Sequence, residues 1–366
     1  QQMILNLYFS KKLIYYFCLL FLVFFCFLTI LSWIDILRLE LPPKISSAKL
    51  FYLAILKTPT IVHPLIPIIT LLTSLCFFTN ISRNSELVII RSAGRSIIRT
   101  ILIPVSTIFA IGLFLVLVIN PINTIALKLY NSELSLVNKY TSNFSINDTG
   151  VWLREGSSSG QRVIHAQSVI DKGEKLKDVS IFEFNKFSIP IARISSKLVF
   201  ISENGWDLKD GKIWKVNRID RPEDRAKSFQ SMWLDTELSL DKIKLGYGEP
   251  SKISFWELQS YIKRIERAGF SSLKHKVYLH KEIALPLLMV GMFLIGGALN
   301  MGHSRLSKKS FAVLATILMG LGGFLLNNLT EILGENEAIP YLFAAWAPPI
   351  IIIFIAIGLI LHLEDG

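Results

Sequence analysis

The sequence predicts a mixed α+β membrane protein: six transmembrane helices, with a β sandwich or jelly-roll domain inserted between the third and fourth. Three observations carry this. Six runs have the length needed to cross a hydrocarbon core of about 30 Å, which takes roughly 20 apolar residues in a helix. Charge is segregated, because residues 121–282 hold 26 of the 39 Lys+Arg and 20 of the 28 Asp+Glu. Within that stretch the pattern also changes, from long apolar runs to short ones bounded by Gly, Asn, Asp and Ser. Of 366 residues 51% are hydrophobic and 18% charged, against about 25% charged in average chains. This balance excludes disorder and argues against an ordinary soluble domain.

The six runs are 13–34, 60–81, 97–119, 283–301, 311–329 and 342–363. The first has no charge between Lys12 and Asp35. It exceeds the apolar core of a signal peptide and reads as a retained helix. Pro59, Pro64 and Pro67 at the second fit a first turn or a kink covered by neighbouring helices. Arg99 lies close enough to the end of the third to snorkel. The centres of all six runs are neutral, so any energy for transport is expected from another chain.

Basic loops stay cytoplasmic. Lys11, Lys12, Arg83, Arg91, Arg95, Arg99, Arg305, Lys308 and Lys309 therefore put both termini inside and the 121–282 insert outside. Arg38, Lys44, Lys49 and Lys57 disagree, since the 35–57 loop then lies outside. These four cations need a reason.

In the insert, strands are expected at 151–153, 162–166, 179–184, 189–201 and 229–238. Asp210-Gly211, between Leu208 and Ile213, signals a hairpin with a type I′ turn. Gly156-Ser157-Ser158-Ser159-Gly160 reads as a loop tip. Helical stems are expected at 122–140, with Ile122, Ile125, Ala126, Leu129 and Leu136 at helical spacing, and from the Ser254 to Glu257 capping box to a stop at Gly269.

Cys18, Cys26 and Cys76 lie in apolar runs and read as small packing residues. No Walker A loop occurs, because the Gly211-Lys212 pair is followed by Ile213. His275 and His280, five apart, read as interfacial polar residues rather than metal ligands. No catalytic residue and no cofactor is assigned to this chain.

The segment from Arg83 to Gly94 is the most informative. Asn84 or Ser85 can cap a short helix, Glu86 suits its positive end, and Gly94 can close it. Leu87, Ile90 and Ala93 share one face, too apolar for bare cytosol. Physics alone leaves two readings: an interfacial helix lying on lipid, or a coupling helix plugged into a soluble partner that supplies an arginine to Glu86.

At this point the chain resembles a family. An R-x-S-E-L-V-V/I-x-x-x-A/S-G segment after helix two, three helices, a β domain and three further helices look like the LptF/LptG permeases of lipopolysaccharide export. The resemblance covers essentially the whole chain, and Gly150-Val151-Trp152, Ile181-Phe182-Glu183-Phe184 and Tyr261-Ile262-Lys263 favour the LptG member.

The resemblance implies the rest. Residues 1–120 are helices one to three with a cytoplasmic coupling helix at 84–94, 121–282 a periplasmic β jelly roll with helical stems, and 283–366 helices four to six. Coupling to an LptB-like ATPase dimer, which binds ATP and Mg, falls to Glu86, Leu87, Ile90, Arg91 and Gly94. An LptF-like second permease and an LptC-like periplasmic bridge protein with one membrane helix are further partners, and no nucleic acid is. Lipid A phosphates are expected at Arg38 and Lys128, with Lys44 or Lys49 as substitutes because Ser32 and Asn131 stand where LptG-like chains carry basic residues. Phe24, Phe27, Ile30 and Leu31 offer an acyl-chain face. Such cations at the exit of a lateral cavity would offset the desolvation of a phosphorylated glycolipid. The competing readings are the sister subunit LptF and a membrane sensor or scaffold whose β domain binds an envelope ligand.

Overall fold

A computed structural model describes residues 2–38, 46–84, 86, 97–138, 144–147, 150–157, 160–170, 174–185, 189–202, 205–215, 226–236, 238, 249–267, 270–301 and 306–365. Among them the chain forms nine α-helices: α1 (Gln2–Leu37), α2 (Ser47–Val62), α3 (Ile66–Arg83), α4 (Ile97–Phe114), α5 (Asn120–Asn138), α6 (Phe255–Arg267), α7 (Leu273–Asn300), α8 (Leu306–Glu335) and α9 (Tyr341–Asp365). Seven strands lie between α5 and α6: β1 (Phe144–Asn147), β2 (Gly150–Ser157), β3 (Gly160–Ile170), β4 (Lys175–Asn185), β5 (Pro190–Ser202), β6 (Gly205–Lys215) and β7 (Lys227–Leu234). The chain is a mixed α+β membrane protein, with six helical stretches among the described residues long and apolar enough to cross a bilayer. It divides into two compact units: Gln1–Asn138 with Ser254–Trp256 and Leu273–Gly366, and Lys139–Ile253 with Glu257–Ser272.

The helical unit is built around α7. Its Leu285, Leu288, Met289, Met292, Phe293 and Ile295 are all buried, as are Phe9, Leu13 and Phe17 of α1, Ile69, Phe77 and Phe78 of α3 and Ile352 of α9. Lipid tails are as apolar as leucine, so helices in a bilayer associate by close packing, which small residues permit. Gly296 shows this: a Cβ there would sit 2.4 Å from Ser74 Oγ, and that hydroxyl donates to the Phe293 carbonyl.

Two spans are irregular. The 35–57 segment is not all loop, because α2 begins at Ser47 and its Leu50, Leu53 and Ala54 are buried at helical spacing. A 3₁₀ turn, His63–Leu65, joins α2 to α3 where Pro64 removes a backbone donor. Between α4 and α5 the helix widens into a π segment, Leu115–Ile119. The carbonyl of Leu117 accepts a hydrogen bond from the Trp256 indole at 3.2 Å. Next to it, Asn120 Oδ1 accepts from the Phe255 N–H at 3.0 Å, so a residue far off in sequence satisfies the start of α6.

In the β unit the strands pair in sequence order, β1 through β7, as one antiparallel meander. Leu153, Ile164, Ile181, Ile194 and Ile213 are aligned across β2 to β6, and this row belongs to a core with Val151, Leu176, Val199, Trp206 and Leu208. Ile265 of α6 and Phe270 join it. Trp206 is fully buried, and its indole donates to the Leu238 carbonyl at 2.8 Å.

The Asp210-Gly211 pair does not turn the chain. β6 runs through it with its register to β5 unshifted, Leu198↔Lys209 being followed by Ser196↔Gly211. Asp210 nevertheless takes, at φ 51°, the left-handed backbone that a tight turn would use. Gly211 is needed for a steric reason: a Cβ would lie 2.2 Å from the Phe229 ring. Of the loop tip expected at Gly156 to Gly160, Gly156, Ser157 and Gly160 belong to the paired strands β2 and β3, Ser157 pairing with Gly160, and positions 158 and 159 lie outside the described residues.

Candidate functional site

The acid singled out by sequence, Glu86, is largely enclosed. Its Oε1 accepts from Lys12 Nζ at 2.7 Å, from the Tyr8 hydroxyl at 3.1 Å and from Asn84 Nδ2 at 3.3 Å. Lys12 also donates to the Tyr8 oxygen at 3.0 Å, and its ammonium stands 5.1 Å from that ring's centroid. The Lys12 and Glu86 side chains are 13% and 20% exposed. Oε2 is buried and has no hydrogen-bond partner among the described residues. Tyr8 and Lys12 lie four apart on α1, hence on one face. The other coupling residues, Leu87, Ile90, Arg91 and Gly94, lie outside the described residues, as does the helix expected at 84–94 apart from Asn84 and Glu86.

The residues expected to meet substrate fall on two surfaces. Phe27, Ile30 and Leu31 are 58%, 53% and 42% exposed on α1. Phe24 instead packs against the helical core, and the exposed Cys18 and Cys26 are not the small packing residues expected. Arg38 is exposed just past the end of α1, its N–H donating to the Asp35 carbonyl at 3.2 Å. Lys128 is exposed on α5. Ile36, Leu50, Leu53, Ala54, Leu127 and Tyr130 form one apolar cluster, so the helices bearing Arg38 and Lys128 share a core at that end. Lys49 is paired with Glu133 at 2.9 Å, which occupies one of the substitute cations. Ser32 is buried and Asn131 exposed, and Lys44 lies outside the described residues.

Sequence reasoning missed a buried polar cluster. Glu282 Oε2 on α7 lies 3.4 Å from His63 Nε2 and accepts from Asn120 Nδ2 at 3.2 Å, and Asn120 also reaches the Tyr278 hydroxyl at 3.4 Å. Lys281 pairs with Glu331 of α8. His63, Tyr278, Lys281, Glu282 and Glu331 border a cavity of about 100 Å³ that Asn328 also lines. A His inside the second span and a Glu at the edge of the fourth were the available signals, but separation in sequence hid their meeting.

Six membrane-length apolar stretches, an inserted antiparallel β unit and cations at helix ends define a multi-pass membrane protein built like the membrane subunit of a transporter. Residues 7–362 match the sequence model of the family described as Lipopolysaccharide export system permease LptF/LptG, and the chain belongs to that family. It is thus a permease of the lipopolysaccharide export machinery, a membrane component rather than an enzyme. No curated protein matches the chain.

Proposed function

We propose that the chain is the LptG-type permease, which extracts lipopolysaccharide from the inner membrane and passes it by way of its β unit to an LptC-like periplasmic bridge protein toward the outer membrane. Both termini are cytoplasmic, the β unit is periplasmic, and the single sheet curls into the family's jelly roll. An LptB-like ATPase dimer binds ATP and Mg and docks on Glu86, Leu87, Ile90, Arg91 and Gly94. An LptF-like permease completes the cavity. Arg38 and Lys128, with Lys44, meet the phosphates of the head group, and Phe27, Ile30 and Leu31 meet acyl chains. The observation carrying this reading is the family match across 7–362. The exposed apolar face lies on α1, Arg38 follows its end, and Lys128 lies on α5, whose Leu127 and Tyr130 share an apolar cluster with Ile36 of α1 through α2, and this supports the substrate contacts.

Affinity purification of the tagged chain from native membranes, with mass spectrometry of proteins and lipids, tests it. Recovery of a soluble ATPase, a second six-span permease and bound lipopolysaccharide is expected, and the second permease's sequence type assigns this chain as LptG or LptF. Recovery without an ATPase would sink the coupling role of Glu86.

A further inference from the structure

The contacts of Glu86 are lopsided. Three donors converge on Oε1, while Oε2 is buried and without a partner among the described residues. A carboxylate so enclosed has its direction fixed by whatever binds the first oxygen, and here two of three donors come from α1. Lys12 supplies charge and Tyr8 a hydroxyl. Each also holds the other, through the 3.0 Å hydrogen bond and the cation resting by the phenol ring.

The helix that makes this grip is distinct in one respect. Every other membrane-length stretch contains Pro or Gly: Pro59 and Pro67 in the second, Pro104 and Gly112 in the third, Pro286 in the fourth, Gly320 in the fifth, Pro348 in the sixth. Gln2–Leu37 has neither. Kinks and hinges in helices arise at such residues, so α1 is the element suited to move as one rod. Lys12 and Arg38 are separated by about 39 Å along it at 1.5 Å per residue.

We propose that Lys12 and Tyr8 are positioning residues that set the direction of the Glu86 carboxylate, and that through them α1 carries displacement from the cytoplasmic segment to its far end at Arg38. This rests on reading Glu86 as the acid of the ATPase-docking segment. The grip takes up Oε1 and leaves Oε2, buried and without a partner among the described residues, as the oxygen that a partner's cation would take up only on docking, so that the partner and α1 would hold different oxygens of one carboxylate.

The test uses the assembled complex in proteoliposomes, with three readouts: recovery of the ATPase with the tagged chain, ATP hydrolysed, and lipopolysaccharide released. Lys12→Met should leave ATPase recovery at the wild-type level and lower lipid released per ATP at least about fivefold, the low end of usual coupling energies. Tyr8→Phe, which removes one hydroxyl, should lower it in the same direction by less, and Lys12→Arg should restore it. Should Lys12→Met fail to accumulate in the membrane, Tyr8→Phe alone decides. Unchanged release per ATP in both Lys12→Met and Tyr8→Phe overturns the inference. Loss of the ATPase in Lys12→Met overturns it as well, since Lys12 would then belong to the docking surface. Retention of the ATPase by Glu86→Arg would instead defeat the docking reading, so the two failures are told apart.

Discussion

Helices α1 and α7 are both long and apolar, yet the structure treats them oppositely. In their most apolar windows 17% of α1 is buried against 78% of α7, although α1 is the more hydrophobic of the two. In a soluble protein that order would be reversed, because burial there follows aversion to water. In a bilayer the surroundings are already apolar, so hydropathy selects what may face lipid and close packing selects what goes inside. α7 accordingly carries Gly291, Gly296 and Gly297 and a buried Glu282, while α1 carries large side chains such as Phe27, Leu22 and Tyr15 facing outward.

Three substitutions break or sharpen this contrast, read as thermal unfolding of the purified chain in detergent unless stated. The largest effect is expected at the core. Phe293 is fully buried, with ring centroids 6.0 Å from Phe77 and 5.2 Å from Phe78, and Phe293→Ala should destabilise by about 3–5 kcal/mol through the cavity left behind. A loss under about 1 kcal/mol would mean that α7 is not tightly packed. Next comes the polar side of the same core. Asn120→Ala takes one donor from Glu282 and leaves the Phe255 N–H without its acceptor, an expected loss of about 1–3 kcal/mol for an unsatisfied buried group. A double-mutant cycle of Asn120→Ala with Glu282→Gln should be non-additive, and simple additivity would show that the 3.2 Å contact contributes nothing. The smallest effect belongs to α1. Phe27→Ala should change stability by no more than about 0.5 kcal/mol, as exposed sites do. A photo-crosslinker at Phe27 should nonetheless capture lipid in membranes, and capture of protein alone would place a partner on that face instead.

Much of the architecture was legible because the bilayer leaves few choices: an unpaired backbone group in hydrocarbon is so unfavourable that spans must be continuous helices. What escaped notice has local causes. Lys49 and Lys57 break the apolar run and made residues 47–57 look like loop, although Leu50, Leu53 and Ala54 already had helical spacing. Asp210-Gly211 carries the turn signal because Asp210 does take a turn's left-handed backbone, but the strand continues in unbroken register on both sides, with Gly211 opposite Phe229. Phe144–Asn147 is too short for alternation to show. At the candidate site, Glu86 was legible from the residues around it. Its partners were not, since Lys12 lies 74 positions away and nothing in the first run marks it as more than a flanking charge.

The π segment at Leu115–Ile119 has a bearing on how the protein is made. Its Leu117 carbonyl receives the indole of a residue 139 positions later. At synthesis rates of about 5–20 residues per second, about 7–28 s pass between the two leaving the ribosome. Throughout that interval the third span lacks this donor, while the β unit that lies between the two in sequence is being made. The third span is therefore completed only when the chain comes back with Trp256, just before the last three spans are made.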